Sequence, residues 1–154
     1  MKVKIVASLC AALISSAVFA QVSVTEPWVR ATVPQQKATG AFMQITSPVD
    51  AKLVEVRSPA AKVVEVHEMV MEKDVMKMRA IPGLDLPAGK AVELKPGGYH
   101  VMLINLNAQV KEGDMVPLTV VVEGKDGKRE SVEVNAPVRP LNSAAGGMQM
   151  HKMH

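Results

Sequence analysis

The sequence is poor in cysteine and in large aromatic residues, and both shortages exclude classes of protein. Its single cysteine, Cys10, lies in the N-terminal apolar run. The rest of the chain therefore has no disulfide framework, no thiol redox chemistry and no thiolate metal ligand. After residue 20, Trp28, Phe42 and Tyr99 are the only aromatic residues of the Phe, Tyr and Trp type. The lysines and arginines are scattered and nearly balanced by acids, so the charge does not indicate nucleic-acid binding.

The first twenty residues have the features of a secretory signal. Two lysines precede the apolar run of residues 5–18, and a small-residue exit predicts cleavage before Gln21. The run is shorter than the roughly 20 apolar residues that cross a bilayer, so no stable membrane insertion is expected. Leu9 argues against a lipoprotein signal, because such signals have small residues just before the cysteine, here Cys10. We expect an exported protein of a bacterial periplasm.

Short runs of alternating or β-branched residues occupy most of residues 21–140. Turn signals rich in proline and glycine separate them, and no amphipathic helix pattern is present. The sequence therefore predicts one all-β domain, an antiparallel Greek-key sandwich or barrel. The runs cover residues 22–32, 41–46, 51–57, 62–70, 74–80, 91–94, 100–106, 116–123 and 129–135.

The last segment, residues 141–154, has a different composition. Small residues form a linker and lead into a run rich in methionine and histidine, which predicts a flexible metal-binding tail. Imidazoles there suit Cu(II), and thioethers suit Cu(I). The alternatives are an incidental run or the remnant of an expression tag. The candidate ligands of the tail are Met148, Met150, His151, Met153 and His154.

Methionine is abundant, with eleven residues including the initiator, and it accompanies the four histidines. His100 and Met102 are separated by one residue, so both side chains leave the same face of a strand. A Pro-Gly-Gly turn places this pair at the beginning of the strand, at one end of the sandwich. On the same face, Ile104 and Leu106 have the character of core residues, so we expect the pair to cap the core.

Two further candidate ligands lie in other predicted strands. His67 ends an apolar run, and Met78 shares one strand face with Met76 and Ala80. Two or three strands can thus bring two imidazoles and two thioethers together. Such a donor set, without thiolate or carboxylate, favours Cu(I) over zinc. Because blue-copper electron carriers use a thiolate, the set predicts copper binding and transfer rather than electron transfer.

Methionine also fills gaps in cores, which gives these residues a second interpretation. In that alternative, His100 is an edge-strand histidine and Met102 a core methionine. Two other methionines, Met43 and Met115, are expected to be packing residues. Three more are expected in the core or at its rim: Met69, Met71 and Met76. Of the last three, Met69 and Met76 can also lend a transient thioether during copper transfer.

The four candidates of the domain have a regular spacing: a histidine, ten residues, a methionine, twenty-one residues, a histidine, one residue and a methionine. In this spacing the sequence resembles the periplasmic copper chaperone family associated with assembly of the binuclear copper centre of cytochrome c oxidase. The matching residues are His67, Met78, His100 and Met102.

The resemblance covers roughly residues 22–138 and includes the segments 26–31, 40–43 and 94–103. It implies a cupredoxin-like β-sandwich that binds Cu(I) at one end and delivers it to a partner. Some members of the family carry a Met/His-rich C-terminal extension, which the tail here resembles.

These observations favour a copper chaperone over two alternatives. The acceptor would be a protein with cysteine ligands, such as an oxidase subunit or a thiol-bearing assembly factor. The first alternative is a copper-sequestering resistance protein without a dedicated acceptor, and the second is a metal-free adhesion or interaction domain. An enzyme is not expected, because no acid–base or nucleophile arrangement is present. The protein is expected to be a monomer or a copper-bridged oligomer.

Overall fold

The computed structural model describes residues 21–140, which form ten β-strands. The predicted signal at residues 1–20 and the predicted tail at residues 141–154, with all five of its candidate ligands, lie outside the described residues. No helix in the described part is long and apolar enough to cross a membrane. The strands are β1 (Ser23–Arg30), β2 (Ala38–Thr46), β3 (Ala51–Arg57), β4 (Ala61–Glu72), β5 (Val75–Ala80), β6 (Leu84–Leu86), β7 (Ala91–Leu94), β8 (His100–Leu106), β9 (Met115–Gly124) and β10 (Arg129–Arg139).

The strands form one continuous hydrogen-bonded path in the order β5-β4-β8-β2-β1-β10-β9-β3-β6, and β7 pairs with β2 beside it. The pairs are antiparallel except at the seam between β1 and β10, where the parallel partners are Val29 with Val138 and Arg30 with Arg139. The all-β prediction is confirmed, and the structure adds this one parallel seam.

The core lies between the two halves of the path. Side chains of alternate residues point inward, as expected for strands with one buried face. Because residues from both halves belong to a single buried cluster, the sheet folds back on itself as a sandwich. Fully buried members of the cluster include Val29, Ala41, Ile45, Val101 and Leu103 from one half, and Leu53, Leu86, Val120 and Ala136 from the other.

A β-bulge in β1 turns Trp28 away from this core. The pairing with β2 shifts between Thr25 and Trp28, and Glu26 has a positive φ of 51°. One extra residue reverses the alternation of side chains. Val29 therefore points into the core, while Trp28 lies on the outer face, opposite Phe42. Both aromatic residues are buried but do not belong to the core cluster.

The buried face of β8 is not the one that the sequence pattern predicted. Val101 and Leu103 are fully buried in the core, so His100 and Met102 lie on the outer face of β8 instead of capping the core. Ile104 shares that outer face and is only half-buried, so its assignment to the core was wrong. Leu106 does return to the core, because Asn105, with a φ of 56°, interrupts the alternation between them.

The methionines expected to pack have different environments. Met43 is buried in the core, as predicted. Met115 is mostly exposed at the start of β9, so its packing assignment was wrong. Met69 is half-buried, and Met71 and Met76 are exposed, which places these three outside the core.

Alanine substitution at neighbouring positions of β8 tests which face is buried. Leu103→Ala should lower the free energy of unfolding by about 2–5 kcal/mol, because it leaves a cavity in a fully buried site. Ile104→Ala is the matched control, since it removes a similar volume from the half-buried outer face. Chemical denaturation of both variants measures the difference. A loss for Ile104→Ala equal to that for Leu103→Ala would contradict the assignment of faces.

Candidate metal site

The candidate site lies on the outer face of the sheet, where β4, β5 and β8 meet. His100, the first residue of β8, is the cross-strand partner of His67 in β4. Directly paired residues project from the same face, so the two imidazoles are neighbours, with ring centroids 5.7 Å apart. Two residues further along, Met102 is paired with Glu65 on that face. The predicted one-residue spacing of His100 and Met102 thus places both side chains together.

The His100 imidazole is buried and oriented by the backbone. Its Nδ1–H donates a hydrogen bond of 3.0 Å to the Gly98 carbonyl oxygen. In the neutral ring, Nε2 therefore carries a lone pair, and it lies 2.8 Å from the Met78 Sδ. A thioether sulfur has no hydrogen to donate either, so two electron-pair donors face each other. Two such donors can bind one soft cation in common.

The His67 imidazole is held in a similar way by a carboxylate. Its Nε2–H donates to the Glu65 Oε2 over 2.7 Å, while Nδ1 is buried and has no hydrogen-bond partner. A buried acceptor without a partner costs about 1–3 kcal/mol. A metal-binding histidine usually donates its second ring nitrogen to a carboxylate or carbonyl in this manner. Each of the two imidazoles thus has one nitrogen fixed by a hydrogen bond and one free to bind a metal.

The charge state of His100 also favours metal binding. Burial lowers the pKa of His100 from its ordinary value of 6.5, and the charges of His67 and Arg30 lower the pKa further. The hydrogen bond to Gly98 acts in the opposite direction and raises the pKa, but the net shift is downward. A lowered pKa keeps the ring neutral to lower pH. Because only the neutral ring has a free lone pair, the site keeps its nitrogen donor under mildly acidic conditions.

The two thioethers occupy different surroundings. Met78 is about half exposed on β5, and its sulfur reaches back to the His100 ring. Met102 is half-buried between Gly40 of β2 and Glu65 of β4. Short distances therefore bring His67, His100 and Met78 together, and strand register places Met102 beside them.

An aromatic platform supports the site from the side of β1 and β2. The Phe42 ring lies 6.5 Å from the His100 ring and 4.5 Å from the Trp28 ring, centroid to centroid. The Arg30 guanidinium lies 5.4 Å from the Phe42 centroid, and the Arg139 guanidinium 5.1 Å from the Trp28 centroid. These cation–π contacts cover rings that would otherwise face solvent, and they stabilise the orientation of Phe42 against His100.

Glu65 was not predicted as part of the site, because the ligand set predicted from the sequence contained no carboxylate. The signal was present, because Glu65 precedes His67 by two residues and so shares its strand face. Its contact is with the His67 ring, which makes it a positioning residue. Within residues 21–140, no group of three or more His, Cys, Asp and Glu side chains is arranged to hold a metal ion.

A protein-family model described as "Putative lipoprotein LpqE-like" matches residues 22–138. The chain belongs to this LpqE-like family. A relative from Leifsonia xyli subsp. xyli (strain CTCB07), named "Putative lipoprotein Lxx21020", is 32% identical over 124 residues, which cover 80% of this LpqE-like chain and 72% of that protein.

Solved structures with the same fold include two that contain copper. The copper-bound PCuAC domain from PmoF2 superposes on the LpqE-like chain with a TM-score of 0.62 at 23% identity, covering 77% of this chain and 92% of that one. The Cu(I) form of DR1885 from Deinococcus radiodurans gives a TM-score of 0.58 at 29% identity, covering 80% and 83%. These likenesses confirm the predicted cupredoxin-like β-sandwich.

Gly40 allows the close approach between the aromatic platform and the site. A Cβ at this position would lie 2.8 Å from the Phe42 Cζ, so Gly40→Ala must displace the ring. We expect a loss of about 1–3 kcal/mol of stability from overpacking and a shifted emission of Trp28, the only tryptophan in the chain. Denaturation followed by fluorescence measures both effects.

Gly98→Ala is the matched control for this substitution, because its Cβ would have only ordinary contacts at 3.6 Å. It should leave the Trp28 emission unchanged. Equal effects of the two substitutions would show that Phe42 does not depend on the space above Gly40.

Proposed function

We propose that this LpqE-like protein is a copper chaperone that binds Cu(I) through His67, Met78, His100 and Met102. One observation carries the proposal: the free nitrogen of His100 faces the Met78 sulfur at 2.8 Å, beside a second imidazole whose Nδ1 is buried without a partner. These three donors have no hydrogen to share among them, so they are poorly arranged for each other and well arranged for a cation.

The type of donor atom supports copper as the cation. Thioether sulfur is soft and uncharged and binds Cu(I) better than harder ions, and imidazole is a common copper ligand. A DR1885 structure is described as the Cu(I) form, and the two chains are 29% identical. Both considerations support Cu(I) as the cargo.

The unequal exposure of the donors supports release by ligand exchange. His100 is buried and His67 nearly so, whereas Met78 is about half exposed on β5. An incoming thiolate would therefore displace the Met78 sulfur first, while the fixed imidazoles keep hold of the ion. Because the four proposed ligands are neutral, bound copper keeps its positive charge and attracts the thiolate. The acceptor is a protein with cysteine ligands, such as an oxidase subunit or a thiol-bearing assembly factor.

The compartment and the absence of catalysis belong to the same proposal. The lipoprotein names of the family and of the Leifsonia relative support export, as does the signal-like composition of residues 1–20. We propose a periplasmic location after cleavage before Gln21. No enzymatic step is proposed, since release to a thiolate needs only ligand exchange.

The C-terminal tail is proposed as an additional copper-binding segment. Its support is compositional, because five of its last seven residues are imidazole or thioether donors. Two imidazoles suit Cu(II), and three thioethers suit Cu(I). The proposed donors are Met148, Met150, His151, Met153 and His154.

The proposed site of His67, Met78, His100 and Met102, called the body site to distinguish it from the tail, is tested by competition with a Cu(I) chelator. Trp28 emission is the readout. Trp28 contacts Phe42, which contacts His100, so its emission reports on the surroundings of His100. The double substitution His100→Ala with Met102→Ala should weaken Cu(I) binding by at least about 100-fold, since even loss of supporting residues weakens metal sites by about 10–100-fold.

Met115→Ala is the control for this experiment, because it removes an exposed thioether from the start of β9, outside the site. It should bind Cu(I) as the unsubstituted protein does. Unchanged body-site affinity in the double variant would refute the ligand assignment.

A further inference from the structure

The β4–β5 hairpin extends beyond the rest of the sheet. The β4–β8 pairing ends at His67 and His100, and from Glu68 onward β4 pairs with β5 alone. A two-residue turn closes the hairpin at Lys73 and Asp74, whose φ values of 50° and 62° are those of a type I′ turn. The hairpin is thus a well-defined two-stranded ribbon that starts directly at the histidine site.

One face of this ribbon carries four methionines. Met69 is paired with Met78, and Met71 with Met76, so the four side chains project from the same face as the His67 imidazole. Met71 is 64% exposed and Met76 is 48% exposed. Methionines this exposed are not filling a core, so packing does not account for the cluster.

The other face of the ribbon is held together by charge pairs. Arg79 contacts the Glu68 carboxylate through Nε and Nη2, each at 2.7 Å, and Lys77 lies 3.6 Å from Glu72. These cross-strand contacts fix the register without help from the methionines. The two faces therefore differ: one carries the charge pairs, and the other carries the four methionine side chains.

The spacing of the methionines allows their sulfur atoms to converge. Paired residues have Cβ atoms about 4.5–5.5 Å apart, and alternate residues of a strand are about 6.7 Å apart. A methionine side chain has three rotatable bonds to reorient its sulfur. Met69, Met71 and Met76 can thus direct three thioethers at one point, while the Met78 sulfur remains at the His100 ring.

We propose that Met69, Met71 and Met76 form a second site on the hairpin, which binds a soft monovalent cation, Cu(I) or Ag(I), through thioether sulfur alone. It is separate from the histidine site and stands whether or not that site carries copper to a partner. Because it lacks imidazole and is more exposed, it binds more weakly. Since Met69 is paired with Met78, a cation held there lies next to the first ligand of the tighter site. This second step rests on the proposed function: where the histidine site binds copper, the hairpin is a point of entry from which copper moves to the histidines by exchange of one thioether for another.

The same exposed residues could instead be an apolar docking surface for another protein. A metal site needs the thioether sulfur atoms, whereas an apolar docking surface needs only the apolar side chains. The double substitution Met71→Leu with Met76→Leu keeps the apolar surface and removes both thioethers, so it abolishes a metal site but preserves a docking surface.

Silver titration of the full-length protein labelled with ¹³C in its methionine methyl groups tests the proposal. Ag(I) is a soft probe that avoids the oxidation chemistry of copper. We expect two stages: the signals of Met78 and Met102 move first, and those of Met69, Met71 and Met76 move at free Ag(I) at least about tenfold higher. Signals are assigned with single Met→Leu variants, and those of Met148, Met150 and Met153 report the tail separately.

Two double variants separate this proposal from the histidine site. Met71→Leu with Met76→Leu should lose the second stage and keep the first. His67→Ala with His100→Ala should lose the first stage and keep the second. The hairpin site is refuted if the Met69, Met71 and Met76 signals do not move with Ag(I), or if Met69 still responds in the leucine variant. Loss of the first stage alone would leave the hairpin site standing, and failure of the second stage alone would leave the histidine site standing.

Discussion

The pairing of His67 with His100 across β4 and β8 is the contact on which the site depends. Both residues are at the last position where the two strands are hydrogen-bonded. On one side of this pair, the register continues into the sheet and places Met102 beside Glu65. On the other side, β4 leaves the sheet with β5, which returns Met78 to the His100 ring. Side chains from three strands that are distant in sequence therefore meet because of one cross-strand pair.

Hydrogen bonds then determine what the two rings can do. The Gly98 carbonyl and the Glu65 carboxylate each take one ring N–H, which leaves one nitrogen lone pair on each imidazole. The site has a negative charge beside its neutral donors, because the Glu65 carboxylate contacts the His67 ring. Its charge strengthens His67 as a donor and holds a cation more firmly, which partly opposes release. The exposure of Met78 favours release, since it leaves one of the proposed ligands open to displacement.

Much of the fold, and the proximity of most candidate site residues, could be predicted from the sequence wherever local patterns are decisive. Nine predicted runs correspond to strands, and the omitted strand β6 has only three residues, too few for alternation to be recognised. The parallel seam between β1 and β10 joins residues more than a hundred positions apart, so no local pattern reveals it. The bulge that turns Trp28 outward is equally hidden, because it reverses the alternation within a single run.

In the site, too, local sequence patterns were predictive and contacts between distant segments were not. The spacing of the four ligand candidates identified them, and strand periodicity placed His100 and Met102 on one face. Which face was buried depended on the residues packed against β8, and that assignment failed at Ile104. Glu65 was accessible to the same periodicity argument as Met102. A search for ligand-type residues alone does not find it, because its role is to orient His67 and not to bind the metal.

A mixed set of imidazole and thioether donors is proposed to bind Cu(I) on this sheet. X-ray absorption on the protein lacking residues 148–154, loaded with one equivalent of Cu(I), counts those donors. Two nitrogen and two sulfur neighbours around copper are expected. A copper environment with only nitrogen and oxygen neighbours, or with sulfur alone, would contradict the proposed donor set.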